Sequence, residues 1–243
     1  MRVVTRNVRH DAGDPRRTDL LNRELRALRP DLAALQEVRH PEQLTRLLAH
    51  TRLRHVTHQA DVLRDQPPEA GMFGGTAIAT REPHRVVDVV ERRIDGFHYW
   101  TLAVRVGNLL FVAPTTPWQP AAANVRHLQA QEVTLRYGGM LPLIVAGDLN
   151  ALPEEAAVRH LSTHLQDAWR IAGDGPGLTW SADNPLAAAE IARFDGTPGR
   201  IDYVFAGADF AVRSARLVGE RPVDGVWLSD HAGVVADLTA AGH

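Results

Sequence analysis

Short apolar runs that stop at a hard polar group recur along this chain, and they constrain its fold more than any other feature. Val3 to Val8 alternates in period two and carries Asn7 near its end. Asp31 to Val38 is mostly apolar until Gln36 and Glu37. Leu141 to Ala146 runs into Gly147-Asp148-Leu149-Asn150, Asp202 sits inside Arg200 to Ala206, and Asp230-His231 precedes the last run, Gly233 to Leu238. Runs of this length and composition read as buried strands. Leu21, Leu25 and Leu28 recur at helical spacing until Pro30 stops the pattern, and Pro41 to His50 and Ala121 to Tyr137 also read as helices. Gly74-Gly75 leads into a TAIAT strand, and Arg85 to Val90 and Tyr99 to Val106 follow as strands. Gly107-Asn108 then marks a hairpin into LLFVAP. Gly173 to Gly199, rich in Gly, Pro, Asp and Asn, reads as a long loop. Interleaved strands and helices with tight turns predict one α/β (α+β) domain over residues 1–243, with mixed rather than purely parallel sheets. Polar groups at strand ends are where such folds build ligand sites.

Composition removes several chemistries. The chain of 243 residues has no cysteine, so disulfides, zinc-thiolate sites and cysteine nucleophiles are excluded. All 27 basic residues are arginine, which excludes a Schiff-base or P-loop lysine; codon usage in a GC-rich genome accounts for the bias. Against 29 acidic residues the formal charge is −2, so a bulk positive field for nonspecific nucleic-acid binding is not expected. No run approaches the ~18 apolar residues of a membrane span, and the first ten residues lack the apolar core of a secretory signal, so no membrane partner and a cytoplasmic location are the expectation. No obligate protein partner is evident.

Taken together and in order, six segments are specific. Thr5-Arg6-Asn7-Val8, Leu35-Gln36-Glu37-Val38, Gly74-Gly75-Thr76-Ala77-Ile78, Gly147-Asp148-Leu149-Asn150, Arg200-Ile201-Asp202-Tyr203-Val204 and Leu228-Ser229-Asp230-His231 span residues 5 to 231. In this the chain resembles the endonuclease/exonuclease/phosphatase superfamily of metal-dependent phosphoesterases. The resemblance implies a four-layer sandwich of two mixed β-sheets flanked by helices. It also implies a hydrolase that cleaves a phosphate ester with Mg²⁺ or Mn²⁺, on either a nucleic acid or a small molecule. Glu37 would be the main metal ligand, Asp230 a further carboxylate ligand, and Asn7 a support for the metal and its ligands. Asp148 would orient and deprotonate the attacking water, Asn150 would donate to the phosphate, and His231 would contact a phosphate oxygen while Asp202 holds its ring. Hard oxygen donors suit Mg²⁺, and a carboxylate on one imidazole nitrogen fixes the tautomer and favours the charged ring.

Three departures accompany the resemblance. Thr116 stands where the family usually has a histidine and is expected to bind substrate, since a hydroxyl can donate to phosphate but carries no positive charge. Thr115, Gln119 and His98 are alternative replacements, and a catalytically weakened family member that only binds metal or ligand is the competing reading. Arg6 stands where an aromatic residue is common and, if buried, requires a carboxylate partner. Arg2, Arg9, Arg16, Arg17, Arg92 and Arg93 are candidates for a polyanion track, with Arg16-Arg17 expected on a solvated face. Trp118 is expected to bind substrate, with Trp180 and Trp227 also near the motif segments, and Thr179 to Pro185 is expected to line the site.

Overall fold

The structure, a computed structural model, describes residues 1–63, 74–194 and 196–242. Two six-stranded sheets form its centre. The first runs β11 (Phe210–Val218), β12 (Gly233–Ala240), β1 (Arg2–Asn7), β2 (Leu32–Val38), β4 (Gly75–Thr80), β3 (His55–His58). The second runs β5 (His84–Ile94), β6 (Phe97–Val106), β7 (Leu109–Thr115), β8 (Leu143–Asp148), β10 (Asp202–Ala206), β9 (Gln166–Asp167). β1 pairs parallel with β2, and β7 with β8, while the remaining pairs are antiparallel. The sheets are therefore mixed, as the sequence predicts.

Strand period decides the layers. Val3, Leu32, Ala34 and Ile78 of the first sheet meet Leu102, Phe111, Ile144, Ala146 and Val204 of the second in one core. The alternate residues face outward under helices. Ala33, Leu35 and Ala77 lie beneath Leu21 of α1 (Arg17–Leu28) and Leu44 and Leu47 of α2 (Glu42–Leu48). On the other side α4 (Ala123–Tyr137) and α5 (Ala156–His164) pack on Val112, Val145 and Phe205. This is the expected four-layer sandwich. Short α3 (Gln59–Val62) and α6 (Ala168–Ala172) complete the α-helices among the described residues up to 172. No described helix is long and apolar enough to cross a membrane.

The long loop expected over Gly173 to Gly199 is corrected by a helix, α7 (Pro185–Phe194). Asn184 starts it by accepting the Leu186 N–H on its side chain at 3.0 Å, and Pro185 is preset for the first turn. The Asp-Asn-Pro turn signal concealed a helix whose alanines give no apolar period. Strands β3 and β11 and helix α5 are further elements outside those predicted from sequence.

One buried histidine braces the strand that carries Glu37. His58, 3% exposed, accepts the Ala60 N–H on Nδ1 at 3.0 Å and donates from Nε2 to the Val38 carbonyl at 3.1 Å. Both bonds need the neutral ring, and burial pushes its pKa down to about 4. Between pH 6.5 and 4 the unfolded chain binds this proton and the folded chain does not. Stability is thus full above about 6.5 and falls as the pH drops. Urea denaturation of wild type should lose about 3 kcal/mol more between pH 7 and pH 4 than His58→Asn does. Equal losses would show that the ring is not held neutral.

Candidate active site

By alternation alone two of the site residues reach a common cleft and a third lies buried behind it. Asn7 follows Val3 and Thr5, Asp148 follows Ile144 and Ala146, and Asp202 precedes Val204, each in step with a residue of the inter-sheet core. At the end of the sandwich the sheets part, and the continuing positions open into a cleft of about 870 Å³ lined by Asn7, Glu37, Asp148, Asn150, Asp230 and His231 among others. Glu37 shares the parity of Ala33 and Leu35 and would point under the helices if β2 stayed regular. The β2–β4 register shifts between Leu35 and Val38, and Glu37 takes a positive φ of 53°. That bulge turns its carboxylate into the cleft. Gly74 makes the turn possible, because a Cβ there would lie 2.8 Å from the Val38 backbone carbon.

The polar groups form one chain across both sheets. Asn7 Nδ2 donates to Glu37 Oε1 at 3.0 Å and to Asp148 Oδ2 at 3.3 Å. Asp148 Oδ2 lies 3.9 Å from His231 Nδ1, which is 2.9 Å from Asp202 Oδ2. Asp148 and Asp202 stand opposite each other in the β8–β10 ladder. Asp148 Oδ1 accepts the Asn150 N–H at 2.9 Å, and Asn150 sits at φ 47°. Burial, then Asp202, raises the Asp148 carboxyl well above the usual carboxylate range, and burial, then Asp230, does the same to Glu37. Burial opposes a charge on His231, but the charges of Asp202 and Asp148 outweigh it and hold the ring protonated well above its ordinary pKa.

Asp230 is 4% exposed; it accepts from Ser229 Oγ at 3.0 Å and stands 3.4 Å from Arg9 Nε. Arg9 also reaches Glu190 of α7 at 3.9 Å. Among the described residues, Asp148, Asp202 and His231 bring three possible ligand atoms within 4.8 Å of one another. His231 Nδ1 is already committed to Asp202, so this triad is a hydrogen-bonded acid–base cluster. Glu37 and Asp230 meanwhile supply hard oxygens to the same cleft, with the Asn7 amide tying Glu37 to Asp148. Burial and then the Asp230 charge raise the Glu37 carboxyl, a strain that a divalent cation with oxygen preference relieves, so the donor set fits Mg²⁺ or Mn²⁺.

The departures have physical answers. Thr116 Oγ1 donates to the Asp148 carbonyl at 3.2 Å, and Asn150 Nδ2 donates to the Thr116 hydroxyl at 3.4 Å, so the threonine shapes the turns that carry Asp148 and Asn150. Of the alternative replacements, Thr115 is hydrogen-bonded to Thr76 at 2.5 Å, and His98 pairs with Glu91 at 2.7 Å; both residues and Gln119 line the cleft. Arg6 is fully buried and finds its carboxylate in Glu24 of α1 at 3.3 Å, while its Nη1 donates to the His231 carbonyl at 2.5 Å. Asp202 does not pair with Arg200, whose partner is Asp167 at 2.8 Å.

One expectation about arginine is corrected. Arg16 is exposed and paired with Asp14, but Arg17 is buried and donates to the carbonyls of Leu228, Arg9, Ala12 and Val8, with no carboxylate partner among its bonds. Nor do the proposed track arginines converge. Arg2 pairs with Asp237 and Arg92 with Glu132, and of the six only Arg9 lines the cleft. Trp118, 43% exposed, and Trp180 line it; Trp227 does not. The Thr179 to Pro185 segment braces the site. Thr179 Oγ1 accepts the N–H groups of Ile201 and Asp202 at 3.0 and 3.1 Å, and Asn184 Nδ2 donates to the carbonyls of Ser229 and Asp230 at 2.8 and 3.2 Å. These bracing roles were not legible in sequence, because a hydroxyl or amide that serves backbone groups leaves no spacing rule.

Comparison with known proteins agrees with this fold. The profile of the Endonuclease/Exonuclease/phosphatase family matches residues 5–231, and the chain belongs to that family, whose members are metal-dependent hydrolases of phosphate esters. No curated protein matches it in sequence. Similar solved structures include an endonuclease/exonuclease/phosphatase from Beutenbergia cavernae DSM 12333, at 23% identity and a TM-score of 0.74 over 100% of this chain and 72% of that one. D. rerio TDP2 complexed with single strand DNA product matches at 16% identity and a TM-score of 0.74, over 99% of both chains. The human Nocturnin catalytic domain with bound sulfate anion matches at 21% identity and 0.69, over 99% of this chain and 93% of that one. At these identities the likeness is one of fold.

Proposed function

We propose that the protein is a divalent-metal-dependent phosphodiesterase or phosphatase acting through the Asn7–Glu37–Asp148–His231–Asp202 chain. The observation that supports this most is the Asn7 amide, which joins a carboxylate of one sheet to a carboxylate of the other within 3.3 Å and brings the Asp148 carboxylate within 3.9 Å of a buried imidazole. Glu37 and Asp230 would hold the cation, and Asn7 would steady Glu37. When bound, Mg²⁺ or Mn²⁺ supplies positive charge at the phosphate oxygens and eases departure of the leaving oxygen. Asp148 accepts the proton of the attacking water as its oxygen bonds to phosphorus and the ester P–O bond breaks. His231, kept charged and oriented by Asp202, donates from its free Nε2 to a phosphate oxygen. Asn150 donates a second hydrogen bond there, and Trp118 at the rim offers a ring face to the substrate.

Nucleic acid and small-molecule esters both enter the test. The TDP2 neighbour holds a single strand DNA product and nocturnin a sulfate anion, which supports a phosphate-binding cleft. The scattered arginines favour a small ester over a long polyanion. Purified protein with Mg²⁺ or Mn²⁺ should hydrolyse at least one of DNA, RNA, an aryl phosphodiester or a sugar or lipid phosphate. No hydrolysis of any of them, together with intact cation binding, would support the binding-module reading instead. Thr116→His should raise the rate on an aryl diester by about tenfold or more if the cleft lacks only a cationic donor. An unchanged or lower rate would show that the cleft is built around threonine.

A further inference from the structure

Outside the cleft, three histidines gather where α4 lies against α5. His160 and His164 are four residues apart on α5 and so share one face of it. Their ring centres are 4.6 Å apart, and His127 of α4 places its ring centre 5.8 Å from that of His160. Two imidazoles on one tetrahedral zinc ion have ring centres about 5 Å apart, from a Zn–N bond of about 2.1 Å plus roughly 1.1 Å to each centre. The two observed spacings bracket that value.

Hydrogen bonds also leave the right nitrogens free. His164 Nδ1 lies 2.9 Å from both the His160 carbonyl and Thr163 Oγ1, and in the tautomer that donates to the carbonyl Nε2 keeps its lone pair. His160 Nε2 lies 2.8 Å from Thr134 Oγ1, whose hydroxyl also reaches the Gln131 carbonyl at 3.0 Å. With the hydroxyl donating to that carbonyl, the ring donates to Thr134 and Nδ1 keeps its lone pair. Such partners on the far nitrogen are the usual support of a metal-bound histidine. Burial, then the neighbouring His164 and His127 rings, lowers the His160 pKa, which favours the neutral, ligating form.

We propose that His127, His160 and His164 bind a transition-metal cation of borderline softness, Zn²⁺ first, at a site separate from the oxygen-lined cleft. The three are not among the described groups whose ligand atoms already lie within 4.8 Å, so the site closes by movement of the His127 ring toward the pair on α5, whose hydrogen bonds are kept, with water completing the shell. The cation would clamp α4 to α5. Arg126, the neighbour of His127, donates to the carbonyls of Pro117 and Gln119 and pairs with Glu155, which precedes α5. The clamp thus bears on the turn that forms one wall of the cleft.

Calorimetry with ZnCl₂ on the full-length, tag-free protein tests this, together with ¹⁵N spectra of the histidine side chains. Wild type should show one Zn²⁺ equivalent that disappears in His164→Ala and in His127→Ala, and the three imidazole signals should shift together. Thr134→Val should weaken that equivalent about tenfold. Unchanged zinc stoichiometry and affinity in either alanine variant, or unmoved imidazole signals, would overturn the proposal. The melting temperature of each metal-free variant, expected to match wild type, separates loss of the site from loss of the fold.

Discussion

Asp148→Asn is expected to lower turnover by about 10³-fold while leaving cation binding in place. The substitution is isosteric. The side-chain oxygen can keep the 2.9 Å bond from the Asn150 N–H and gives up only the longer one from Asn7, which retains Glu37. What disappears is the group that takes the water proton. The kcat of an aryl phosphodiester assay, read beside a Mg²⁺ titration by calorimetry, separates the two roles. Parallel loss of turnover and cation binding would contradict the assignment of Asp148 as base and make it a ligand.

Arg6→Met should produce the largest loss of stability, about 3–5 kcal/mol, because it leaves the buried face of Glu24 without its counter-charge and the His231 carbonyl without its donor. The side chain has no room to rearrange, since a Cβ on Gly233 would already lie 2.8 Å from Arg6 Cδ. Paired charges in this position are costly to bury, so Arg6→Met combined with Glu24→Leu should recover much of the loss. Urea denaturation of the two single variants and the double variant measures the cycle. A loss below about 1 kcal/mol in Arg6→Met would show that the pair contributes little to the fold.

How much of this was visible in sequence depends on which rule each residue obeys. Asn7, Asp148 and Asp202 follow strand alternation, so the apolar residues before or after them already fix the direction in which they point. Glu37 breaks alternation through a bulge, and only its place in an ordered set of motifs marks it. The buried partners were beyond reach: Glu24 sits on a helix face that composition marks as polar, and Arg17 spends its donors on backbone carbonyls that no side-chain pattern reveals. Helix α7 was hidden for a related reason, since its start is a side-chain cap inside a run of turn residues. Distant segments needed to converge for the motifs to mean anything, and the Asn7 amide shows that they do.

The most direct test is hydrolysis of bis(4-nitrophenyl) phosphate by wild type and Glu37→Gln, each first stripped with EDTA and then given Mg²⁺ or Mn²⁺. Wild type should be silent after stripping and regain turnover with added cation, while Glu37→Gln should stay silent at the same cation concentration. Turnover that persists in EDTA, or a Glu37→Gln variant that regains the wild-type rate, would contradict a cation held by Glu37 at the heart of the cleft.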